Sequence, residues 1–304
     1  MLNAHIQPLY EEVGTLVTAH DPSQKITDLE TLAVIDLFEK TGMILFRGFD
    51  ISPQTLPAVT DTYTESYAVD AARRAKRFDQ KIIRDVDVGA HAVLLHSEAS
   101  FTPAWPELIW FLCMVPAQRD GATTVCDGVK AWQNLSERAR NFFLLNPIRY
   151  ELQVPLGQTK PGRGKRPWLF NTLGAGDATI DWDTGMIHLT QVRPAVTEGR
   201  TKNTLCFANH LIIHMDSENQ LMKRTLLDGS NIPQDIMEEI HAVTESCTHE
   251  IAWQPRDLAM IDNKRLMHGR RAYKAGDKRD IVVIQSARAS FGYGVTARKS
   301  INAA

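Results

Sequence analysis

The apolar positions in the first part of the chain recur at steps of three and four residues, as they do on one face of a helix. A helix that begins at Thr27 gathers four of them on one face. These four are Leu29, Leu32, Ile35 and Phe38. Gly42 stands where a helix C-cap falls, and the apolar run 43–46 after it predicts a buried strand. A second helix is predicted over residues 52–71, because Pro53 lies where a first helical turn tolerates proline.

Beyond residue 91 the pattern changes to short apolar runs separated by turn residues, which predicts strands. The predicted strands are residues 92–95, 108–115, 122–126, 148–154, 168–171, 186–192, 204–207, 258–261 and 281–286. Only two helices interrupt them, over residues 136–145, with Ser136 as N-cap, and 233–246. Because strands and helices do not alternate, a doubly wound parallel sheet is disfavoured. The pattern favours a mainly β (α+β) fold with a double-stranded β-helix (jelly roll) core, an N-terminal α/β extension and helical and loop insertions.

Composition places the chain among ordinary globular proteins. Of its 304 residues, 43% are hydrophobic and 23% are charged, and the formal net charge is −2. A balance this close to neutral gives no overall field that would attract nucleic acid or an anionic membrane. The start lacks the pattern of a signal peptide, and no apolar run reaches the roughly 18 residues of a membrane span, so we expect a cytoplasmic protein. The four widely spaced cysteines are expected to be reduced and buried.

One insertion is unusually basic. Residues 158–167 read QTKPGRGKRP, with four positive charges among two glycines and two prolines, which predicts a loop. It lacks the spacing of a nucleotide-binding P-loop. Two interpretations stay open: a solvated surface loop, or a lid that clamps an acidic substrate or a phosphate-bearing carrier.

Candidate chemistry begins at the end of the predicted strand 92–95. His96 and Glu98 follow it two positions apart, so an extended chain directs the imidazole and the carboxylate to the same side. Two histidines and one carboxylate with open positions are the ligand set of non-haem Fe(II) oxygenases, and His268 is the candidate second histidine. Arg279 comes eleven residues after His268, at the start of a strand, where a guanidinium can bind a carboxylate through two parallel hydrogen bonds.

A second cluster competes for the metal. His210 and His214 have the four-residue spacing of one helix face, and Asp216 follows them. No glutamate follows His210 as it does in the helix of zinc proteases. A zinc hydrolase built on these three residues is therefore an alternative function.

Several motifs, taken in order, resemble the TauD/TfdA-like family of Fe(II)/2-oxoglutarate-dependent dioxygenases, within the clavaminate-synthase-like superfamily. The likeness extends from about Met43 to Arg288. Its most specific stretch comprises HSEASF at 96–101, WPELIWFLC at 105–113 and DGATTVCDG at 120–128. The first and last of these resemble the family's His-x-Asp/Glu ligand pair and its Gly-Gly-x-Thr turn.

The resemblance implies an enzyme that uses Fe(II), 2-oxoglutarate and O₂ and releases succinate and CO₂. It implies that His96, Glu98 and His268 bind the iron. It also implies that Arg279 holds the distal carboxylate of 2-oxoglutarate and that Thr123 hydrogen-bonds to the same carboxylate.

Three features distinguish this chain within the resemblance. Asp120 stands where the family has the first glycine of its turn, which should affect the turn more than the threonine. Val283 stands where the taurine enzyme has a second arginine for the substrate sulfonate, so a taurine-like sulfonate is disfavoured. Glu98 fills the position that related halogenases leave small for chloride, so hydroxylation or desaturation is expected.

Five further residues are candidates for substrate contact. Phe101 and Trp105 closely follow the ligand strand and are candidates either for the pocket wall or for the core. Asn209 and His210 follow a predicted strand where this branch of the family places substrate contacts. Arg288 lies past the far end of the strand that Arg279 opens, where it would meet either a structural acid or an acidic substrate.

The sequence therefore predicts a single dioxygenase domain over residues 1–304, since a domain boundary between His96 and His268 would split the site. It is expected to hydroxylate or desaturate an unactivated C–H of a small polar substrate, an amino acid or natural-product intermediate, which is anionic or tethered to a carrier protein. Sulfonate or ether cleavage within the same family is an alternative outcome. A non-catalytic small-molecule-binding jelly roll is an alternative from another class. A homo-oligomer is compatible with an enzyme of this size.

Overall fold

The computed structural model describes residues 2–68, 74–80, 82–86, 89–155, 177–201, 203–212 and 221–291. The helices in these residues are α1 (Thr31–Thr41), α2 (Leu56–Tyr63), α3 (Gly128–Asn134), α4 (Glu137–Leu145) and α5 (Gln234–Ser246). The strands are β1 (His5–Pro8), β2 (Thr15–Thr18), β3 (Met43–Arg47), β4 (Thr64–Tyr67), β5 (Arg84–Asp85), β6 (Val93–His96), β7 (Leu108–Val115), β8 (Thr123–Asp127), β9 (Ile148–Pro155), β10 (Asp177–Asp181), β11 (Met186–Arg193), β12 (Thr197–Glu198), β13 (Leu205–Cys206), β14 (Leu221–Thr225), β15 (Thr248–Ile251), β16 (Leu258–Asp262), β17 (Leu266–Arg270) and β18 (Asp280–Ala289).

Two sheets packed face to face form the centre of the protein. The larger sheet has the order β1-β2-β3-β16-β7-β18-β4, with β5 also paired to β18, and the smaller sheet has the order β15-β8-β17-β6. Inward side chains of both sheets form one buried cluster, with Leu45, Phe111 and Val283 from the larger sheet and Val125 and Leu266 from the smaller. This arrangement is the jelly-roll core that the sequence predicts, and the mainly β fold is confirmed.

The N-terminal helices cover the outer face of the larger sheet. Phe38 of α1 packs in one buried cluster with Trp110 and Met260 of that sheet. Helix α1 ends as predicted at Gly42, which has φ of +72° and donates its N–H to the Phe38 carbonyl. A Cβ at this glycine would lie 2.5 Å from Cδ1 of Leu266, so both the backbone conformation and the close packing require glycine here.

The remaining helices and a third sheet cover the outer face of the smaller sheet. This third sheet has the order β10-β11-β9-β14. Cys126 and Met267 of the smaller sheet share a buried cluster with Trp132 of α3, Ile240 of α5 and Tyr150 of β9. All four cysteines are free and buried, as expected for small apolar side chains.

The predicted helix over residues 52–71 was wrong in both its start and its end. Helix α2 begins only at Leu56 and stops at Tyr63, and the next four residues form β4 on the edge of the larger sheet. Thr64 begins this strand with its Oγ1 2.7 Å from Oγ of Ser286 on β18. A β-branched residue favours the extended conformation, so pairing with β18 prevails over the helical period here.

Helix α3 and strand β17 were not predicted, because they lack the apolar runs from which the other elements were predicted. Helix α3 begins where the side chain of Asp127 accepts a hydrogen bond from the Val129 N–H. Strand β17 was also missed, because its sequence LMHGR has no alternation of apolar and polar residues. Its pairing with β6 and β8, which are distant in sequence, determines its conformation.

Three sequence predictions lie outside the described residues. They are the strand over 168–171, the basic segment 158–167, and the positions of His214 and Asp216. Within the described residues, none of the helices combines the length and the apolar character that crossing a bilayer requires.

Candidate active site

The two sheet partners β6 and β17 bring His96 and His268 together. These residues face each other directly in the antiparallel register, and their ring centroids lie 4.5 Å apart. Glu98 follows β6, with Oε2 3.7 Å from Nε2 of His96. Each of the three side chains offers a ligand atom, and these atoms all lie within 4.8 Å of one another. The structure thus assembles the predicted two-histidine, one-carboxylate cluster.

The hydrogen bonds of the two imidazoles differ. Nδ1 of His96 lies 2.9 Å from the Leu94 carbonyl, which can only accept, so Nδ1 carries the proton and Nε2 keeps its lone pair. Nδ1 of His268 is buried without a hydrogen-bond partner among the described residues. Leaving a buried polar atom unpaired costs free energy, so the His268 ring fits a bound group that the chain itself does not supply.

The charge states suit a divalent metal. Burial, followed by the charge of His96, holds the pKa of His268 well below its usual value, so this ring is neutral at pH 7. Burial of Glu98 opposes its ionisation, but the positive charge of Arg74 beside it holds its pKa well below the usual value. A neutral imidazole and an ionised carboxylate are the forms that bind iron.

Asn263 fixes the loop that carries Glu98. Its side-chain oxygen accepts the Glu98 N–H at 2.8 Å, and its amide nitrogen donates to the carbonyls of Glu98 at 3.0 Å and Pro106 at 2.9 Å. The Ser97 hydroxyl donates to the Asn263 carbonyl. Asn263 is completely buried, so this side chain acts as the inner support of the ligand loop.

A second polar group lies at the far end of the same cavity, where β8 and β18 begin. Arg279 donates from Nη2 to Oγ1 of Thr123 at 2.9 Å and from Nε to the Gly121 carbonyl at 2.9 Å. Burial, followed by repulsion from Arg270, lowers the pKa of Arg279 to about 10, which leaves it charged at pH 7.

The Thr123 hydroxyl has one remaining direction for its proton. Its oxygen accepts hydrogen bonds from Arg279 and from Nε1 of Trp253, the latter at 2.8 Å. A hydroxyl has two lone pairs and one proton, so both acceptor positions are filled and the proton is available to a bound acceptor. A carboxylate is such an acceptor, and the donor set therefore fits the distal carboxylate of 2-oxoglutarate.

The departure at Asp120 leaves the turn before Thr123 intact. Asp120 has φ of +45° and Gly121 has φ of +69°. Aspartate tolerates this left-handed region better than most residues, so it replaces the family's first glycine at small cost.

One cavity of about 420 Å³, partly open to solvent, contains both ends of the site. The three candidate ligands, Thr123 and Arg279 line it. Arg74 and Arg270 line it as well.

The five candidate substrate contacts are not among the side chains lining this cavity. Phe101 and His210 pack beside the site, with ring centroids 4.9 Å apart, and His210 also contacts His96 at 5.3 Å. Trp105 donates from Nε1 to the Ser97 hydroxyl at 2.8 Å. Asn209 donates to the Ala195 carbonyl at 2.9 Å, and Arg288 is exposed on β18.

His210, the first member of the alternative zinc cluster, is a neutral packing partner of His96. Burial, followed by the charge of His96, lowers its pKa to about 3. Its Nδ1 lies 3.2 Å from the Ser97 carbonyl and so donates to it.

Four residues of the site were missed from the sequence: Arg74, Trp253, Asn263 and Arg270. Arg270 could have been found, because residues two apart on a strand face the same side and His268 was already a candidate. Arg270 donates to the His91 carbonyl at 2.9 Å, and its guanidinium lies 5.2 Å from the Tyr273 ring centroid. The other three depend on contacts between distant segments, which no local pattern indicates.

The cavity of this jelly roll has two histidines and a carboxylate at one end and an arginine and a threonine at the other. This arrangement is typical of a non-haem iron oxygenase that uses an oxo acid. The sequence model of the "Taurine catabolism dioxygenase TauD, TfdA family" matches residues 6–285, and the chain belongs to this family. It is a 2-oxoglutarate-dependent non-haem iron dioxygenase, with Fe(II), 2-oxoglutarate and O₂ as its cofactor and co-substrates.

Three proteins similar to this chain share little sequence identity with it. The dapdiamide synthesis protein DdaC of Enterobacter agglomerans is 21% identical over 291 residues, which cover 86% of this chain and 87% of that protein. Among solved structures, PvcB of Pseudomonas aeruginosa has a TM-score of 0.61 at 15% identity, covering 93% of this chain and 91% of that one. AAD-2 in complex with Mn(II) and N-oxalylglycine has a TM-score of 0.60 at 16% identity, covering 96% and 99%. The two structural likenesses show the shared fold.

We predict that Asn263→Ala lowers the free energy of unfolding by about 3 kcal/mol, because it leaves buried N–H and carbonyl groups of the ligand loop unpaired. Metal affinity should fall with it, since Glu98 loses its support. Urea unfolding and Mn(II) titration measure the two effects. Asn231→Ala, at an exposed position of the loop before α5, is the matched control and should change stability by less than about 0.5 kcal/mol. Equal stability of the two variants would contradict the role of Asn263.

We predict that Trp253→Phe raises the KM for 2-oxoglutarate about fivefold, the equivalent of one hydrogen bond of about 1 kcal/mol. Thr123→Val should raise it further, because it removes the hydroxyl itself. Steady-state kinetics with varied 2-oxoglutarate measure both, with Trp182→Phe at an exposed position as control. A KM that is unchanged in both variants would show that this hydroxyl does not bind the co-substrate.

Proposed function

We propose that His96, Glu98 and His268 hold the Fe(II), and that Arg279 and Thr123 bind the distal carboxylate of 2-oxoglutarate. The observation that carries this assignment is the grouping of three ligand atoms within 4.8 Å at the end of a cavity whose other end presents Arg279 and the Thr123 proton. The unpartnered His268 nitrogen and the ionised Glu98 support it.

When bound, iron and 2-oxoglutarate would supply an oxidation by O₂ in which one oxygen atom enters succinate as 2-oxoglutarate loses CO₂, and the other either enters a substrate C–H bond as a hydroxyl or leaves as water with two substrate hydrogens. The chain contributes placement and exclusion of water. His96 is oriented by the Leu94 carbonyl, and His268 packs against the Phe111 ring with centroids 5.3 Å apart. Apolar side chains such as Phe111 and Ile281 line part of the cavity and would limit the contact of bound groups with water.

The substrate we propose is a small polar molecule, an amino acid or natural-product intermediate, that is hydroxylated or desaturated. The dapdiamide synthesis protein DdaC supports this class, as does PvcB, an Fe, alpha-ketoglutarate-dependent oxygenase from an isonitrile synthetic pathway. Val283, at the position of the taurine enzyme's second arginine, is buried in the core between the sheets, which argues against a sulfonate.

An anionic substrate is further supported by the charges of the cavity. Among the residues that the structure describes, Arg74, Arg270 and Arg279 line it, against one carboxylate, that of Glu98. The charges of Fe(II) and of the 2-oxoglutarate dianion cancel, so an excess of positive charge remains, and a substrate carboxylate would neutralise part of it. We also propose that the chain acts as a single dioxygenase domain, because the candidate ligands come from strands far apart in sequence.

Anaerobic Fe(II) plus 2-oxoglutarate should give the protein a weak visible charge-transfer band. His96→Ala should abolish the band, since it removes one of the three proposed ligands. His241→Ala, at an exposed position of α5, is the control and should leave the band unchanged. A band that survives in the His96 variant would contradict the ligand assignment, and a wild-type protein that binds small molecules without iron or 2-oxoglutarate would favour the non-catalytic alternative.

Succinate release in the presence of Fe(II), 2-oxoglutarate and O₂ identifies the substrate class. A panel of amino acids and small acids should contain a compound that raises release at least tenfold over the rate without substrate. Its methyl ester should stimulate less, because the ester removes the negative charge. Stimulation by neutral compounds alone would contradict an anionic substrate.

A further inference from the structure

A short segment before the ligand strand docks on the edge of β18. We call residues 74–80 and 82–86 the strap. Its strand β5 pairs with Val282 and Val283 of β18. Within the strap, the backbones of Lys76 and Arg84 form an isolated antiparallel β-bridge. The Arg84 side chain donates to the Arg74 carbonyl at 3.4 Å. The strap therefore has a defined place beside the cavity, and Arg74 lies at its start.

An ion-pair cluster fastens the strap to the start of β18, directly after Arg279. Arg77 donates to both carboxylate oxygens of Asp280, at 3.1 and 3.0 Å, and to Asp85 at 2.6 Å. Asp280 directly follows Arg279 in the chain. The paired geometry on Asp280 restricts orientation as well as distance, so the strap is held in register with the 2-oxoglutarate end of the site.

Arg74 reaches from the strap to the metal end of the cavity. Its Nη2 donates to Oε1 of Glu98 at 2.8 Å, and the two side chains are only 10% and 19% exposed. The other oxygen, Oε2, lies 3.7 Å from Nε2 of His96. The two carboxylate oxygens thus have different neighbours, with one directed to the guanidinium and the other to the histidine.

We propose that Arg74 is a positioning residue that keeps Glu98 a one-oxygen ligand. The hydrogen bond holds Oε1 toward the guanidinium, which leaves Oε2 as the preferred ligand oxygen for the iron. A carboxylate with both oxygens free can bind a metal through both, which would take a coordination position that 2-oxoglutarate or O₂ needs. Groups that hydrogen-bond to metal ligands orient them in this way, and their loss costs 10–100-fold in affinity or activity. The inference rests on the proposed function, because it presupposes iron at these ligands.

The test compares Arg74→Gln with Arg74→Lys and with Arg119→Gln, whose side chain is 71% exposed. Two binding measurements are made without turnover: Mn(II) titration by calorimetry, and anaerobic titration of the Fe(II)-loaded protein with 2-oxoglutarate, followed by the charge-transfer band. In Arg74→Gln the dissociation constant for 2-oxoglutarate should rise at least tenfold and the band should shift, while Mn(II) still binds at one equivalent. Arg74→Lys should recover part of both, since an ammonium can still donate to Oε1.

Three outcomes would overturn the proposal. One is a 2-oxoglutarate titration and band in Arg74→Gln equal to those of Arg119→Gln. Another is unchanged 2-oxoglutarate binding with a raised KM for the substrate alone, which would make Arg74 a substrate-binding residue. The third is an equal loss of 2-oxoglutarate affinity in Arg74→Gln and Arg74→Lys at unchanged thermal stability. It would mean that hydrogen-bond donation to Oε1 does not control 2-oxoglutarate binding. A wild-type protein without the band would instead contradict the proposed function itself.

Discussion

The pairing of His96 with His268 across β6 and β17 is the constraint on which the site depends. The two residues are 172 positions apart in the chain, and only the antiparallel register of these strands makes them neighbours. A slip of β17 by one residue would turn His268 to the opposite face of the sheet. The core between the two sheets opposes that slip, because Leu266, on the same face of β17, would leave the buried cluster with His268. The strand register that packs the jelly-roll core is therefore the same register that brings the two candidate ligands together.

An irregularity next to this pair orients the first histidine. From His96 to Val93 the chain takes three steps on β6, while β17 takes two, from His268 to Arg270, so β6 carries one extra residue as a bulge. The carbonyl of Leu94, within the bulge, accepts a hydrogen bond from Nδ1 of His96. On the opposite strand, a Cβ at Gly269 would lie 2.5 Å from the Val93 carbonyl oxygen, so only glycine allows β6 to approach this closely.

Local patterns were sufficient to predict some parts of this protein. The two-residue spacing of His96 and Glu98 after an apolar run indicated the ligand strand, and Gly42 indicated the end of a helix. Strand β17 was not predicted, because its residues are held by partners on β6 and β8 and show no alternation of their own. Arg74, Trp253 and Asn263 were missed for a related reason. Each acts on a residue more than twenty positions away, and an isolated arginine, tryptophan or asparagine has the same local appearance on any protein surface.

The sheet also determines the distance between the two ends of the site. On β8, Val125 pairs with His268 and Thr123 pairs with Arg270. Thr123 thus lies two residues along the strand from the position that pairs with the candidate ligand, which is about 6.6 Å of extended chain. A dicarboxylate can bind a metal at His268 with one end and the Thr123 hydroxyl with the other only if its length matches this distance. Because Arg279 and Trp253 both bond to Thr123, its hydroxyl cannot move to accommodate a longer or shorter acid without losing those hydrogen bonds. Selection of a five-carbon oxo acid would then follow from strand register. Arg279 would supply the positive charge for the distal carboxylate, and Thr123 would fix the position of that carboxylate.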